Sequence, residues 1–585
     1  MNSEAALNGG LATRRTRLVN RVTARMCRVS ARATGFVSQP EPRTIGLFAR
    51  GRQLVAGNIL LAGHLVEAKG AQPWDIPAPH PQFADALHGF GWLDHLAAVG
   101  DREARVVAQA WVWEWIARYS GGRGPGWTAD LTGRRVIRWI NHALFLLSVQ
   151  SPENADKFFR SLSQQTAFLA RRWQVSSPGL PRFEALTGLI YAGLALEGME
   201  RHVAPAKAAL SRACKEAIDA GGGIPTRNPE ELLEVFTLLT WAAQALSENG
   251  QMAAPDHIAA IERISVTLRT LRHADGGLAR FHGGGRGMEG RLDHALAASG
   301  IRTVAADGRA MGYARLSGGR TTVVVDASPP PVGEASRFAH ASTLAFELSS
   351  NRRPVVVNCG SGMPFGPDWE RAGRASASHS TLSIDGFSSA RMASDDSTGR
   401  PRLTDGPHHV SFDRTDKGYA TVLLLSHDGY LASHGLTHVR CLDLSTDGRA
   451  LMGEDSLSAL TPADRKRFGA VLDRTRLSGV HFAVRFHLHP DVDASLDMND
   501  TAVSIALRSG EIWVFRAEGA VRMTLEPSVY LEKGRLKPRP SQQIVLSGVA
   551  LDYTSHITWT LAKAQDTPVA MRDIGRDDPL AMPDY

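Results

Sequence analysis

At 585 residues the chain is longer than one ordinary hydrophobic core organises, so two or more domains are expected. Hydrophobic residues at 43% and charged residues at 21% are ordinary for a globular protein, and no stretch reaches the ~18 uninterrupted apolar residues of a membrane-spanning helix. The four cysteines, Cys27, Cys214, Cys359 and Cys441, lack CxxC spacing, which excludes a disulfide framework and a thiolate zinc site; the net charge of +7 admits an anionic partner without choosing among nucleic acid, membrane surface and acidic polysaccharide.

The first 80 residues read as a basic extension and lead-in. Arg14, Arg17, Arg21, Arg25, Arg28 and Arg32 recur every three or four positions, with Leu18, Val22, Met26 and Val29 between them. That spacing puts the arginines along one helix face and the apolar residues along another. The reading preferred from sequence is a solvated helix packed on its own domain, with a membrane-surface contact as the other. No apolar core follows Arg14-Arg15, so no export signal is read and a cytoplasmic location is expected; the periplasm is the alternative.

A helical domain is read over residues 81–305, with helical periodicity from about Pro81 to Leu271. Trp92, Leu93, Leu96 and Ala97 repeat at helical spacing, as do Val107, Ala110, Trp111, Trp115 and Ile116. Further helices are predicted over 131–150, 154–173, 183–199, 203–219, 229–248 and 255–272. Helix pairs with short connections predict an α/α toroid or solenoid, although no sequence repeat is visible. The Gly-rich segment 283–287 lacks a preceding strand and a Walker lysine, so it reads as a hinge or turn.

From about residue 306 to 585 the period changes to two. Short β-branched runs at Thr321–Val325, Pro354–Val357, Thr381–Ile384, Tyr419–Leu425, His438–Leu444, Phe482–His489 and Glu511–Phe515, several bounded by turn residues, predict an antiparallel sandwich or barrel. Helices followed by strands, rather than alternating with them, argue against a nucleotide-binding α/β fold. Histidines gather here: His340, His379, His438, His487 and His489. A lone strand histidine is usually a hydrogen-bonded structural residue; several on neighbouring strands are candidates for a metal or proton-transfer site.

The run Ser336–Leu348, then Arg353–Gly360, then His379-Ser380-Thr381 resembles the C-terminal signature of heparinase II/III-like proteins. Trp127, Arg135, Trp139, Asn141 and His142 are similar to a helix pattern of that family's toroid. The resemblance implies an α/α toroid followed by an antiparallel β-sandwich, and β-elimination on uronic-acid polysaccharides. In that reaction a Tyr or His removes the C5 proton while a donor neutralises the carboxylate. The alternative is a non-catalytic polysaccharide-binding or assembly protein that keeps the fold. An acidic polysaccharide is the expected partner, with no nucleic acid and no membrane span.

Several family positions are substituted. The first histidine of the family's H-x-H corresponds to Phe338, the following aspartate to Ser342, and the aspartate ending the next strand to Asn358. In the toroid, the Asn-His pair falls near Pro181-Arg182 and the tyrosine near Glu231. The catalytic candidates left are therefore Tyr313, His340, His379, Arg227 and His273 (beside Asp275), with Arg135, Asn141, His142 and Arg485 as substrate contacts. No cofactor is required. A divalent metal, zinc or calcium, would sit at His340, Asn358 and His379, and neutral Asn358 predicts weak or no binding.

Overall fold

A computed structural model describes residues 2–29, 33–38, 41–68, 70–393, 400–519 and 521–566, with side chains from Arg14 onward. Arg32 and residues 567–585 lie outside the described residues. The chain forms two compact units. The first takes the chain up to Ala220 with Leu233–Ile264 and Ala295–Ile301; the second takes Gly221–Leu232, Ser265–His294 and the chain from Arg302 onward. Beside the boundary expected near residue 305, the second unit thus draws in two earlier segments.

The first unit is helical. Asp101 accepts a hydrogen bond from Ala104 N and starts Arg102–Tyr119; Ser151 does the same through Asn154 N for Pro152–Arg172, with Pro152 in the first turn. Ala129–Asn141 crosses Leu180–Ala195 closely enough that a methyl group on Gly133 would lie 2.2 Å from Glu184 O. Gly188 in turn faces the Gly133 backbone, so the two helices meet main chain to main chain, which glycine alone permits. Around this crossing, Trp92, Trp115 and Trp139 are each fully buried. Trp115 and Trp139 meet edge to face at 5.6 Å, and Trp139 stacks on Phe158 at 5.4 Å.

The second unit holds two large antiparallel sheets and a short ribbon of Arg391–Met392 with Leu403–Thr404. The nine-stranded sheet runs Arg522–Tyr530, Arg539–Ala550, Val480–Leu488, Arg353–Val357, Phe346–Ser350, Thr321–Asp326, Tyr313–Gly318 and Arg309–Ala310, with Leu382–Ile384 also paired to Val480–Leu488. The eight-stranded sheet runs Val410–Asp416, Ala420–Tyr430, Leu436–Ser445, Ala450–Ser458, Thr554–Gln565, Ile512–Glu518, Ala502–Leu507 and Val492–Asp497. Both contribute to one core, in which Phe346, Phe486, Phe515 and Trp559 pack together. Alternation supplies that core: along Leu436–Ser445, Leu442 and Leu444 are buried while Cys441 and Asp443 are partly exposed. Two polar side chains share the inward face, His438 and Arg440, and Asp455 receives both.

Candidate functional site: a buried histidine and carboxylate lattice

Within the second unit the strand Thr321–Asp326 ends on an aspartate with no solvent exposure. Arg227 Nη2 and Ser342 Oγ donate to the Asp326 carboxylate, and His282 Nε2 lies 3.5 Å away. Burial alone would raise the Asp326 pKa; Arg227 outweighs it, with His282 and Ser342 adding, and holds it at about 2. The remaining Arg227 protons go to the carbonyls of Met311 (3.0 Å), Gly312 (3.1 Å) and Pro329 (2.6 Å). This guanidinium is therefore neutralised and fully hydrogen-bonded.

Tyr313 stands beneath it, with the guanidinium 4.7 Å from the ring centroid. Its hydroxyl donates to Arg227 O at 2.5 Å, the side chain is fully buried, and burial pushes its pKa well above 10. The role expected for Tyr313 as a proton-abstracting base needs an exposed, easily ionised phenol; this placement makes it a packing residue that fixes the Arg227 backbone.

His340 and His379 come together as expected, with His340 Nδ1 3.1 Å from His379 Nε2. Hydrogen-bond direction fixes the tautomers. His379 Nδ1 lies 2.8 Å from Ala375 O, a carbonyl that can only accept. His379 Nε2 is thus the acceptor, His340 Nδ1–H the donor, and His340 Nε2 carries the leftover lone pair. His282 Nδ1 accepts from His340 N at 3.1 Å, which turns the His282 Nε2–H toward Asp326. Burial lowers the pKa of His379 to about 4 and that of His340 well below 6.5.

This arrangement does not fit a metal. Both His379 nitrogens are committed, and Asn358 Oδ1 accepts from Ser380 N at 3.0 Å. Asn358 N and Arg280 N both donate to Glu347, binding that carboxylate to the main chain. Among the described residues no group of three or more His, Cys, Asp or Glu side chains is arranged to hold a metal ion.

His273 sits beside Glu347, with Nδ1 2.9 Å from Ser349 Oγ and Nε2 3.4 Å from Glu347. Together with Asp275, Arg280 and Arg286 it lines a cavity of about 30 Å³, room for about one water. Arg485 donates to Ser383 Oγ at 2.6 Å, on the neighbouring strand. His487 lies 3.0 Å from Ala377 O and 2.8 Å from Ser528 Oγ, a structural histidine, and His489 packs edge-on against Tyr530.

The three toroid residues are in the first unit. Arg135, expected to contact substrate, is fully buried. It donates to Gln165 Oε1 (2.7 Å) and to the carbonyls of His88 and Gly126 (3.1 Å each), and lies 4.0 Å from the Trp115 ring centroid. It pins helix ends from inside the core, and desolvation brings its pKa down to about 9. His142 Nε2 lies 2.9 Å from Asp94 Oδ1. Asn141 is buried with neither amide atom hydrogen-bonded, and both residues line a pocket of about 350 Å³ with Thr44, Asp94 and Phe145.

Asp326, His282, Arg280 and Glu347 belong to the lattice and were not singled out from sequence. Asp326 carried a legible signal, an acid closing the run Thr-Thr-Val-Val-Val where a buried strand would otherwise end in a turn. His282 stood just before the glycines read as a hinge, and nothing local marks it.

Comparison with known proteins follows the same outline. The model of the heparinase II/III-like C-terminal domain matches residues 301–560. FtsZ-localized protein C of Caulobacter vibrioides is 31% identical over 555 residues, covering 91% of each chain. The crystal structure of heparinase III superposes with a TM-score of 0.67 at 14% identity, over 96% of this chain and 92% of that one. A Streptomyces coelicolor chondroitin AC lyase in complex with chondroitin sulphate superposes with a TM-score of 0.51 at 12% identity, over 94% and 83%. At such identities the two lyases establish the fold alone, helical toroid followed by antiparallel sandwich.

Proposed function

This chain belongs to the heparinase II/III-like family, and from that premise we propose that it is a non-catalytic member, an assembly protein that keeps the lyase fold and localises with FtsZ. The observation that carries this reading is the closed state of the lattice. β-Elimination needs a base that reaches a sugar C5 proton and a donor free to neutralise a carboxylate. Here the Tyr313 proton is given to Arg227 O, both His379 nitrogens are committed, and Arg227 is matched to Asp326. The FtsZ association is taken from the relative that is 31% identical over nine-tenths of both chains. A cytoplasmic location goes with it.

One observation favours a second reading, a lyase of uronic-acid polysaccharide. His340 Nε2 keeps a lone pair with no hydrogen bond among the described residues, and it would be the base. Two measurements separate the readings. Ultraviolet absorbance of unsaturated uronide, followed over alginate, glucuronans and glycosaminoglycans, is expected to stay flat. Co-sedimentation with FtsZ polymers and co-localisation of a fluorescent fusion with FtsZ are expected to be positive. Eliminase activity that disappears in His340→Ala would overturn the proposal and install the second reading.

A further inference from the structure

The lead-in to the helical unit runs past the last turns of Leu180–Ala195: Ser38 Oγ donates to Leu194 O at 3.2 Å and Arg43 Nη1 to Tyr191 Oη at 3.3 Å. That is the far end of the helix from Pro181-Arg182, where the family's Asn-His pair would fall. Through Pro42, Thr44 and Gly46 the same lead-in walls the pocket of about 350 Å³ that Asp94, Asn141 and His142 also line. The charge in this pocket is matched. Arg138 Nε donates to Asp94 Oδ2 at 3.1 Å, His142 Nε2 lies 2.9 Å from Asp94 Oδ1, and Thr44 hydrogen-bonds to the same carboxylate. Burial alone would raise the Asp94 pKa; Arg138, with His142 and Thr44 adding, outweighs it and holds the pKa below the usual carboxylate value. With the His142 Nε2–H given to Asp94, Nδ1 is the acceptor left on the ring, and it meets no partner among the described residues. Asn141 is 1% exposed, and neither its amide oxygen nor its amide nitrogen is hydrogen-bonded. Buried polar groups are nearly always matched, so an amide left open at both ends on the wall of a pocket calls for a ligand.

We propose that this pocket binds a small uncharged molecule that presents a primary carboxamide or lactam edge to Asn141 and rests its apolar body on Leu144 and Phe145. Such an edge carries a donor beside an acceptor, so it mates with the Asn141 amide through two hydrogen bonds. A trans peptide bond turns its N–H and C=O to opposite sides and can offer only one of them at a time. An anion would face Asp94 with no lysine or arginine on the described lining to receive it. A cation would find a carboxylate that already has three partners. An uncharged head is what the polar groups leave room for. The walls suit the rest of the molecule: Pro42, Ala97, Leu144 and Phe145 are apolar, and Leu144 is 75% exposed at the mouth. Small-molecule pockets of this kind run to about 300–1,000 Å³, whereas one water takes roughly 30 Å³. The site lies wholly within the first unit, and the inference is independent of whether the β domain is catalytic.

The test is titration of the full chain, followed by ligand-observed NMR, with benzamide, benzoate and N-methylbenzamide. Benzamide is expected to bind. Benzoate, which brings a charge, and N-methylbenzamide, whose methyl group covers the pairing edge, are expected to bind at least about tenfold more weakly. Asn141→Leu keeps the size of the side chain and removes the amide. Its affinity for benzamide should fall by at least about tenfold, while its Tm holds or rises because two unmatched polar groups have gone. Ala98→Trp fills the pocket from an exposed position on its rim, so it should abolish binding with the fold intact and without touching a polar group. Failure of benzamide to bind the wild type, equal binding of benzoate or N-methylbenzamide, or unchanged affinity in either variant would overturn the proposal.

Discussion

Protonation of the histidine pair should cost the fold stability in acid, and His379 supplies a magnitude. The ring is 1% exposed, and burial, opposed by its hydrogen bond to Ala375 O, brings its pKa from 6.5 to about 4. A depressed folded-state pKa means the unfolded chain binds the proton first. The contribution of His379 is therefore complete above about pH 6.5 and lost as the pH falls towards 4. At roughly 1.4 kcal/mol for each tenfold change in proton affinity, that loss is about 3 kcal/mol. His379→Asn can keep a donor to Ala375 O through its amide but cannot titrate. Urea denaturation of the wild type and this variant, repeated from pH 7 to pH 4, should show the wild type's advantage shrinking by about 3 kcal/mol. A gap that stays constant across this range would refute the tautomer chain and the burial argument together.

Gly133→Ala places a methyl carbon 2.2 Å from Glu184 O, a main-chain atom that cannot swing away; a loss of about 3 kcal/mol or more and a lowered Tm are expected, and an unchanged Tm would mean the helices cross differently. Arg227→Met strands the buried Asp326 carboxylate and should cost about 3–5 kcal/mol in urea denaturation, whereas Arg227→Met with Asp326→Asn should recover part of it. Tyr313→Phe removes one buried hydrogen bond, worth about 1 kcal/mol, and should leave any eliminase reading where the wild type has it. Metal analysis of the purified chain is expected to find no tightly held zinc or calcium, and chelation to leave the Tm unmoved; one zinc per chain, lost in His340→Ala, would contradict the donor assignments.

Much of the fold is visible in the sequence because it rests on local period. Pro229–Glu248 and Pro255–Leu271 begin at a proline and end where the apolar repeat stops. Thr321–Asp326 and Val480–Leu488 follow their apolar and β-branched runs. The meeting of His340 and His379 was legible through spacing shared with a family. Roles set by partners remote in the chain were not. Arg227 meets Asp326 across 99 positions, and nothing near either residue announces the other. Arg135 shows the opposite failure: an arginine between Trp127 and Trp139 in the sequence suggests a ligand contact, yet Trp115 and Trp127 cover it and carbonyls take its protons. Tyr313 likewise looks free in a strand-start motif until Arg227 O is seen at its hydroxyl.

The strand Thr554–Gln565 occupies the middle of the eight-stranded sheet, between Ala450–Ser458 and Ile512–Glu518. During synthesis that sheet therefore exists as two halves, each with a raw hydrogen-bonding edge, until the chain has been made past residue 565. Trp559 arrives on the same strand and gives its Nε1 proton to Asp455 at 2.9 Å, the carboxylate already facing Arg440 and His438. Closure of the sheet and completion of its buried charge cluster are then one event. A ribosome stalled, or a gene truncated, before residue 554 would release a product with two open strand edges and an aspartate short of a partner, a species made for aggregation or proteolysis rather than partial function.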